Sequence, residues 1–130
     1  MHKIVFDIDP VPASRPRVAQ YGTYYLPKYE QFRKDMSVLL MGKRKTPYAT
    51  PLKLDVTFKM PIGKSVSNKK RGEMDGTYCD TNVDLDNLEK ALYDCLNGVI
   101  WEDDRQVVTH TTRKVWVNGR GSIEVTIELV

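Results

Sequence analysis

Four charged side chains near the middle of the sequence have types and spacing that could do chemistry together. Asp84 and Asp86 precede a run with helical spacing of apolar residues, and Lys90 follows Asp86 by four positions on the same helix face. Asp104 comes fourteen residues after Lys90. Convergent carboxylates can hold one or two Mg²⁺ ions that activate water for phosphodiester hydrolysis. A nearby lysine can neutralise charge developing on the phosphate or its leaving group.

Each of these residues also has a simpler explanation. Asp84 or Asp86 could cap the helix, which is worth roughly 1 kcal/mol. Asp86 and Lys90 could form a solvated pair worth about 0.3–0.5 kcal/mol. Asp103 and Asp104 could be ordinary loop charges. Spacing alone leaves open whether the turn after the helix brings Asp104 back towards Asp84.

Other chemistries lack their residues. There is no Walker glycine pattern and no zinc-spaced set of Cys and His, and D-L-D-N lacks the Gly and distal Glu of a calcium loop. Cys79 and Cys95 have no disulfide or zinc-ligand spacing, which favours a reducing cytoplasm. No stretch approaches the ~20 apolar residues of a membrane span. We therefore expect a soluble cytoplasmic protein with no membrane partner.

The charge is unevenly distributed along the chain, although the net charge is only +3. Residues 1–75 hold 15 Lys and Arg against 7 Asp and Glu, whereas residues 76–130 hold 5 against 10. The basic part could meet a polyanion, and the acidic part could hold hard cations, which prefer carboxylate oxygens. Solvated surface charges would also explain this asymmetry on their own.

The elements that must position these residues follow from periodicity, and 130 residues suit a single domain over 1–130. The predicted segments are strands at 3–8, 51–60, 105–117 and 122–129, and helices at 28–43 and 86–97. This β-α-β-α-β-β order predicts an α+β fold, in which two helices pack on a mixed sheet. N-G-R-G at 118–121 is a hairpin signal between the last two strands.

The segment 61–83 has no apolar periodicity and is rich in Gly, Lys, Ser and Asn. Its composition predicts a long basic loop, and a loop of this length is usually functional or disordered.

The motif residues resemble the hallmark of the RusA family of Holliday junction resolvases. In that family D-x-D-N-x-x-K opens a helix and D-D-x-Q-V follows it. The matching positions are Asp84, Asp86, Asn87, Lys90, Asp103, Asp104, Gln106 and Val107. The Pro- and Arg-rich opening P-V-P-A-S-R-P-R before the first helix agrees with the family pattern. One departure is Asn82-Val83, where many members carry Lys-Pro.

The resemblance implies a symmetric homodimer that nicks two opposing strands of a four-way DNA junction in recombination and repair, using Mg²⁺ or Mn²⁺. By position, Asp84, Asp86 and Asp104 would be the metal-binding carboxylates and Lys90 the catalytic lysine. Asp103 would support them from outside the ligand set.

DNA contacts are expected from cations that can meet phosphates, which set affinity without reading sequence. These are Arg15, Arg17, Lys28, Arg33, Lys69, Lys70 and Arg71. Tyr24, Tyr25 and Trp101 could stack on exposed bases, although Trp101 could instead pack in a core or an interface.

Two further functions stay open on the sequence. One is a non-catalytic basic protein that binds branched DNA, and the other is a nuclease acting on flaps, replication forks or RNA. The first would bind junctions without nicking them in any divalent ion.

Overall fold

β4 (Leu52–Pro61) forms the centre of a four-stranded sheet because every second side chain is apolar and buried. In the strand order β1-β6-β4-β5, β4 pairs antiparallel with β6 (Ser122–Leu129) and parallel with β5 (Val107–Val117). β1 (His2–Phe6) pairs antiparallel with β6. The buried residues of β4 are Leu52, Leu54, Val56, Phe58 and Met60. Burying a side chain of this size stabilises the fold by about 1.5–3 kcal/mol. The predicted mixed sheet is confirmed.

This computed structural model describes residues 1–15, 17–20, 22–24 and 26–130, and only the backbone of residues 17–19, 23 and 24. The chain divides into two compact units. The sheet unit comprises residues 1–10, 50–82 and 105–130, and the helical unit comprises residues 11–49 and 83–104. Three α-helices in the described part complete an α+β fold. The assignment of residues 1–130 to one domain and the packing of helices on the sheet stay predictions.

The predicted hairpin between the last two strands is wrong. β5 and β6 lie on opposite sides of β4, so residues 118–121 cross the end of β4 instead of joining neighbours. This crossing spans two strand spacings, or about 10 Å. Gly121 donates its N–H to Oδ1 of Asp9 at 3.0 Å, and a Cβ at this position would lie 3.0 Å from the Lys59 carbonyl. The N-G-R-G signal identified a turn, but the buried alternation of β4 decided its strand partners.

The predicted loop at 61–83 contains a helix, α2 (Asn68–Met74). Ser67 caps it, because the Ser67 hydroxyl accepts the Lys70 N–H at 3.3 Å. α2 buries none of its residues, and it therefore has no apolar stripe that a sequence pattern could reveal. Arg71 donates to the carbonyls of Gly63 at 2.6 Å and Val66 at 3.0 Å, which ties the segment to its own helix.

The helical unit contains α1 (Pro27–Leu39) and α3 (Leu85–Leu96). α1 begins with a proline, which suits the first helical position because no N–H partner is needed there. The buried residues are Tyr29, Phe32 and Met36 on α1, and Leu88, Ala91, Leu92 and Leu96 on α3. α3 ends at Asn97 and Gly98, whose φ of 79° favours glycine.

A short hairpin of β2 (Arg17–Ala19) and β3 (Gly22–Tyr24) precedes α1. Pro16, Tyr21 and Tyr25 lie outside the described residues. Within the described ranges, no helix is both long and apolar enough to span a membrane.

Candidate active site

The carboxylate of Asp84 is not used as a helix cap. Asp84 occupies the N-cap position of α3, and its carbonyl accepts N–H groups from Asn87 at 3.1 Å and Leu88 at 3.2 Å. Its side chain makes no capping hydrogen bond, although aspartate here usually does. The capping alternative is therefore confirmed for the position of Asp84 and not for its carboxylate. Asp86 is exposed in the first turn of the same helix, where the helix dipole favours negative charge.

Lys90 pairs forwards along α3, not backwards to Asp86. Its Nζ lies 3.3 Å from Oδ2 of Asp94, and the Tyr29 hydroxyl donates to the same oxygen at 3.5 Å. The Lys90 side chain is 65% exposed, so this pair is worth only about 0.3–0.5 kcal/mol. The exposed ammonium therefore has donors left for a phosphate oxygen while it stays beside Asp94.

A cavity of about 450 Å³ lies beside Lys90 in the helical unit. It forms because the Pro-rich segment crosses the first turn of α3, where the Ala13 N–H donates to the Asn87 carbonyl at 2.9 Å. Its lining residues are Ala13, Ser14, Arg15, Tyr29, Asn87, Lys90 and Asp94. The cations Arg15 and Lys90 suit it to an anion. The buried Ser14 hydroxyl has no hydrogen-bond partner in the structure, and an anion's oxygen would supply one after a side-chain rotation.

Asp104 lies at the other end of α3. Its Oδ2 accepts a hydrogen bond from Nδ2 of Asn97 at 3.3 Å. At 1.5 Å of rise per residue, the Cα atoms of Asp84 and Asn97 are about 20 Å apart, which is too far for these side chains to bridge. Burial raises the pKa of Tyr93 far above its usual value, and the negative charges of Glu89 and Asp104 add to this effect. The turn after α3 therefore leaves Asp104 beside the last turns of the helix.

The predicted metal ligands have suitable chemistry but unsuitable placement. Carboxylate oxygens are the donors that Mg²⁺ prefers. Among the residues that the structure describes, no three His, Cys, Asp or Glu side chains are grouped closely enough to hold one ion. Asp84 and Asp86 share the start of α3, whereas Asp104 does not join them. The predicted set of three is thus not assembled in this conformation.

The remaining motif residues support the fold. Nε2 of the buried Gln106 donates to the Thr50 carbonyl at 3.0 Å, which anchors the chain just before β4 to the start of β5. Trp101 is fully buried, and its indole N–H donates to Asn97. It also packs edge-to-face on Tyr93, with ring centroids 5.5 Å apart. Packing, not base stacking, is therefore the role of Trp101 in this structure.

The predicted DNA-binding cations lie in both units. In the helical unit, Arg15 lines the cavity beside Lys90, Lys28 is exposed, and the Arg33 guanidinium lies 5.8 Å from the Tyr29 ring centre. In the sheet unit, the exposed Lys69 and Lys70 belong to α2, together with Arg71. The side chains of Arg17, Tyr24 and Tyr25 lie outside the described part of the chain.

Sequence reasoning missed three polar residues of the helical unit. Asp94 follows Lys90 by four positions, so helical spacing could have identified it as the lysine's partner. Ser14 and Arg44 carry no comparable signal, because the cavities that they line are formed by distant segments of the chain.

Comparison with known proteins gives two findings. The family model described as "Endodeoxyribonuclease RusA" matches residues 7–128, nearly the whole chain. The relative named "Uncharacterized protein YqaN" from Bacillus subtilis (strain 168) is 32% identical over 109 residues, which cover 77% of this chain and 77% of the relative. The family match includes every residue of the candidate site.

Proposed function

This chain belongs to the RusA endodeoxyribonuclease family, and we propose that it resolves Holliday junctions by paired phosphodiester hydrolysis in DNA recombination and repair. The family supports a nuclease acting on DNA, and the proposal adds the four-way junction as its substrate. The free thiols Cys79 and Cys95 suit a reducing cytoplasm, which we propose as its location.

The observation that carries the proposal is the cavity beside Lys90. A phosphodiester seated there meets the two cations Arg15 and Lys90, and the amide of Asn87 lines the same space. Asp94, which accepts a hydrogen bond from the Tyr29 hydroxyl, pairs with Lys90 at the edge of the cavity before DNA arrives. Because an ammonium has three donors, Lys90 can meet a phosphate oxygen while Asp94 still orients it, and it can neutralise charge developing on the leaving oxygen.

We propose Mg²⁺ as the cofactor, with Mn²⁺ as a substitute, and Asp84, Asp86 and Asp104 as its ligands. The uncapped carboxylate of Asp84 and the exposed Asp86 support the first two assignments. Asp104 can join them only after the Asn97 amide releases it and the turn that carries it moves. Such an ion supplies an activated water and stabilises the leaving oxygen.

Paired cleavage calls for two identical sites. We propose a homodimer, because an isologous pair presents two equivalent sites related by a two-fold axis, which matches the symmetry of a four-way junction. The proposal of a homodimer rests on the family and on the symmetry of the junction.

One observation favours a second candidate function. Because Asp104 is held away from Asp84 and Asp86, the chain could bind branched DNA without cutting it.

Cleavage of a labelled four-way junction in Mg²⁺, Mn²⁺ and EDTA, with linear duplex as control, distinguishes a resolvase from a protein that only binds DNA. Paired, metal-dependent nicks that spare the duplex support the resolvase. Tight binding without nicks in either metal supports the binding protein, and equal cutting of duplex and junction rejects junction selectivity.

A further inference from the structure

A second cavity of about 470 Å³ lies in the helical unit, where the end of α1 meets the end of α3. The side chains that line it include two arginines and a serine. The lining residues are Arg33, Ser37, Leu40, Met41, Gly42, Arg44, Asp94, Cys95 and Val99. Two guanidinium groups around one concave space are an arrangement suited to an anion, because each guanidinium offers a planar fork of donors.

Arg44 is held in position before any ligand arrives. Its guanidinium carbon lies 3.4 Å from the centre of the Tyr48 ring. The Tyr48 N–H donates to the Ile100 carbonyl at 2.9 Å, and the Tyr48 carbonyl accepts the Glu102 N–H at 3.2 Å, so the ring stands on a fixed backbone. A stacked, fixed guanidinium loses less conformational entropy when it binds an anion.

The hydrogen-bond capacity of Arg44 is not satisfied within the chain. Its Nε is buried and has no hydrogen-bond partner in the structure. A buried donor without a partner costs free energy, and a small movement towards an anionic oxygen in the cavity would recover it. The Ser37 side chain lines the same cavity, and its hydroxyl donates to the Lys34 carbonyl at 2.7 Å.

We propose that this second cavity binds a backbone phosphate of the DNA substrate, through Arg44 and Arg33. The inference rests on the proposed function and adds a second phosphate position on the same helix pair. Asp94 lines both cavities, and its negative charge is offset only in part by Lys90. From Asn87 to Cys95, the part of α3 that borders the two cavities spans about 12 Å. This length equals about three to four phosphates of one strand of duplex DNA, at 3.4 Å each.

A protein partner is the competing occupant. Met41 lines the cavity and Val38 lies beside it on α1, and they are 76% and 63% exposed. The unsatisfied Nε of Arg44 favours the phosphate, because an apolar partner would leave this buried donor without an acceptor.

The test compares two variants with the same change in charge at neighbouring positions. Arg44→Gln removes a cation from the cavity, whereas Lys43→Gln removes an exposed cation that does not line it. Binding of the full-length protein to a fluorescent four-way junction is measured in EDTA, over a series of salt concentrations. We expect Arg44→Gln to weaken binding about tenfold and to reduce the salt slope by about one, and Lys43→Gln to change binding less than twofold.

Equal effects of the two variants would overturn the proposal, because they would indicate general electrostatic attraction. Unchanged DNA affinity of Arg44→Gln would overturn the proposal as well. If the molecular mass of Arg44→Gln in size-exclusion chromatography with light scattering then differed from that of the wild type, the cavity would bind a second copy of this chain instead. If the wild type binds the junction but never nicks it, the proposed function fails while this inference is still tested. A wild-type protein that binds no DNA would contradict both the proposed function and the second phosphate site.

A second experiment measures cysteine alkylation in the wild-type protein, so its result does not depend on whether a variant folds. Cys95 lines the same cavity, whereas Cys79 is buried elsewhere. Saturating junction DNA should slow alkylation of Cys95 at least fivefold at pH 9 and leave that of Cys79 unchanged. Equal alkylation of Cys95 with and without bound DNA would contradict the proposal.

Discussion

The ammonium of Lys90 lies 3.3 Å from the carboxylate of Asp94, and Asp94 lines both cavities of the helical unit. Asp86 is also four residues from Lys90, on the N-terminal side, but it is not the partner. The pair keeps Lys90 at the edge of one cavity and places a negative charge between the two. Asp94 therefore positions the proposed catalytic lysine and lowers the attraction of both cavities for phosphate.

Replacing Lys90 by glutamine should reduce junction cleavage about 100- to 1000-fold, because a positioned group that stabilises charge only in the transition state is lost. Binding should weaken only a few-fold, since Arg15 still lines the cavity. Single-turnover cleavage at saturating protein separates the two effects. Lys90→Arg is the matched control that keeps the charge. A Lys90→Gln variant that cleaves at the wild-type rate would exclude Lys90 from the chemistry.

Asp94→Asn should have opposite effects on binding and on cleavage. Removing a negative charge between two phosphate positions should strengthen junction binding roughly two- to fivefold. The cleavage rate should fall about tenfold, because Lys90 loses the group that orients it. Asp35→Asn, which removes an exposed carboxylate of α1 that lines neither cavity, is the control. If Asp94→Asn lowers affinity and rate together, Asp94 does not have this positioning role.

Gly121→Ala should destabilise the protein by about 1–3 kcal/mol, the usual cost of overpacking. The added Cβ would meet the backbone of Asp9 and the Lys59 carbonyl, each at 3.0 Å. Gly63→Ala is a matched control, because nothing lies within 4 Å of its Cβ position. Urea unfolding of both variants measures the difference. Equal stabilities would contradict the close crossing of residues 118–121 over the end of β4.

Asp55 and Arg113 join β4 to β5 by a hydrogen bond of 2.7 Å. This bond lowers the pKa of the Asp55 carboxyl below its usual value. A lowered pKa in the folded state means that the contribution to stability is present above the unfolded pKa of about 4, and is lost as the pH falls through the folded pKa. The stability difference between wild type and Asp55→Asn should therefore shrink between pH 5 and pH 3. A difference that stays constant over this range would show that the pair contributes no pH dependence.

The sequence was sufficient where one local pattern decided the structure. The alternation from Leu52 to Met60 and the apolar stripe of α3 predicted a central strand and a buried helix face, because burial follows those periods directly. α2 escaped detection because it is short and buries none of its residues, so it has no apolar stripe that a pattern could reveal.

Local sequence patterns were not sufficient where contacts between distant segments of the chain determine the structure. N-G-R-G predicted a turn, but the pairing of β4 on both sides excluded the hairpin. The assignment of Asp104 as a metal ligand together with Asp84 stays a prediction, because the turn after α3 places Asp104 beside Asn97. The cavity beside Lys90 depends on contact between Ala13 and Asn87, which no local spacing encodes.

The most direct test of the proposed function is single-turnover cleavage of a four-way junction by wild type and by Asp86→Asn in Mg²⁺, together with their junction affinities in EDTA. The substitution keeps the size of the side chain and removes one carboxylate at the start of α3. We expect the cleavage rate to fall about 100-fold or more while affinity changes less than threefold, because the role proposed for Asp86 is to hold the metal and not to bind DNA. Wild-type cleavage by Asp86→Asn would contradict an active site at the start of α3.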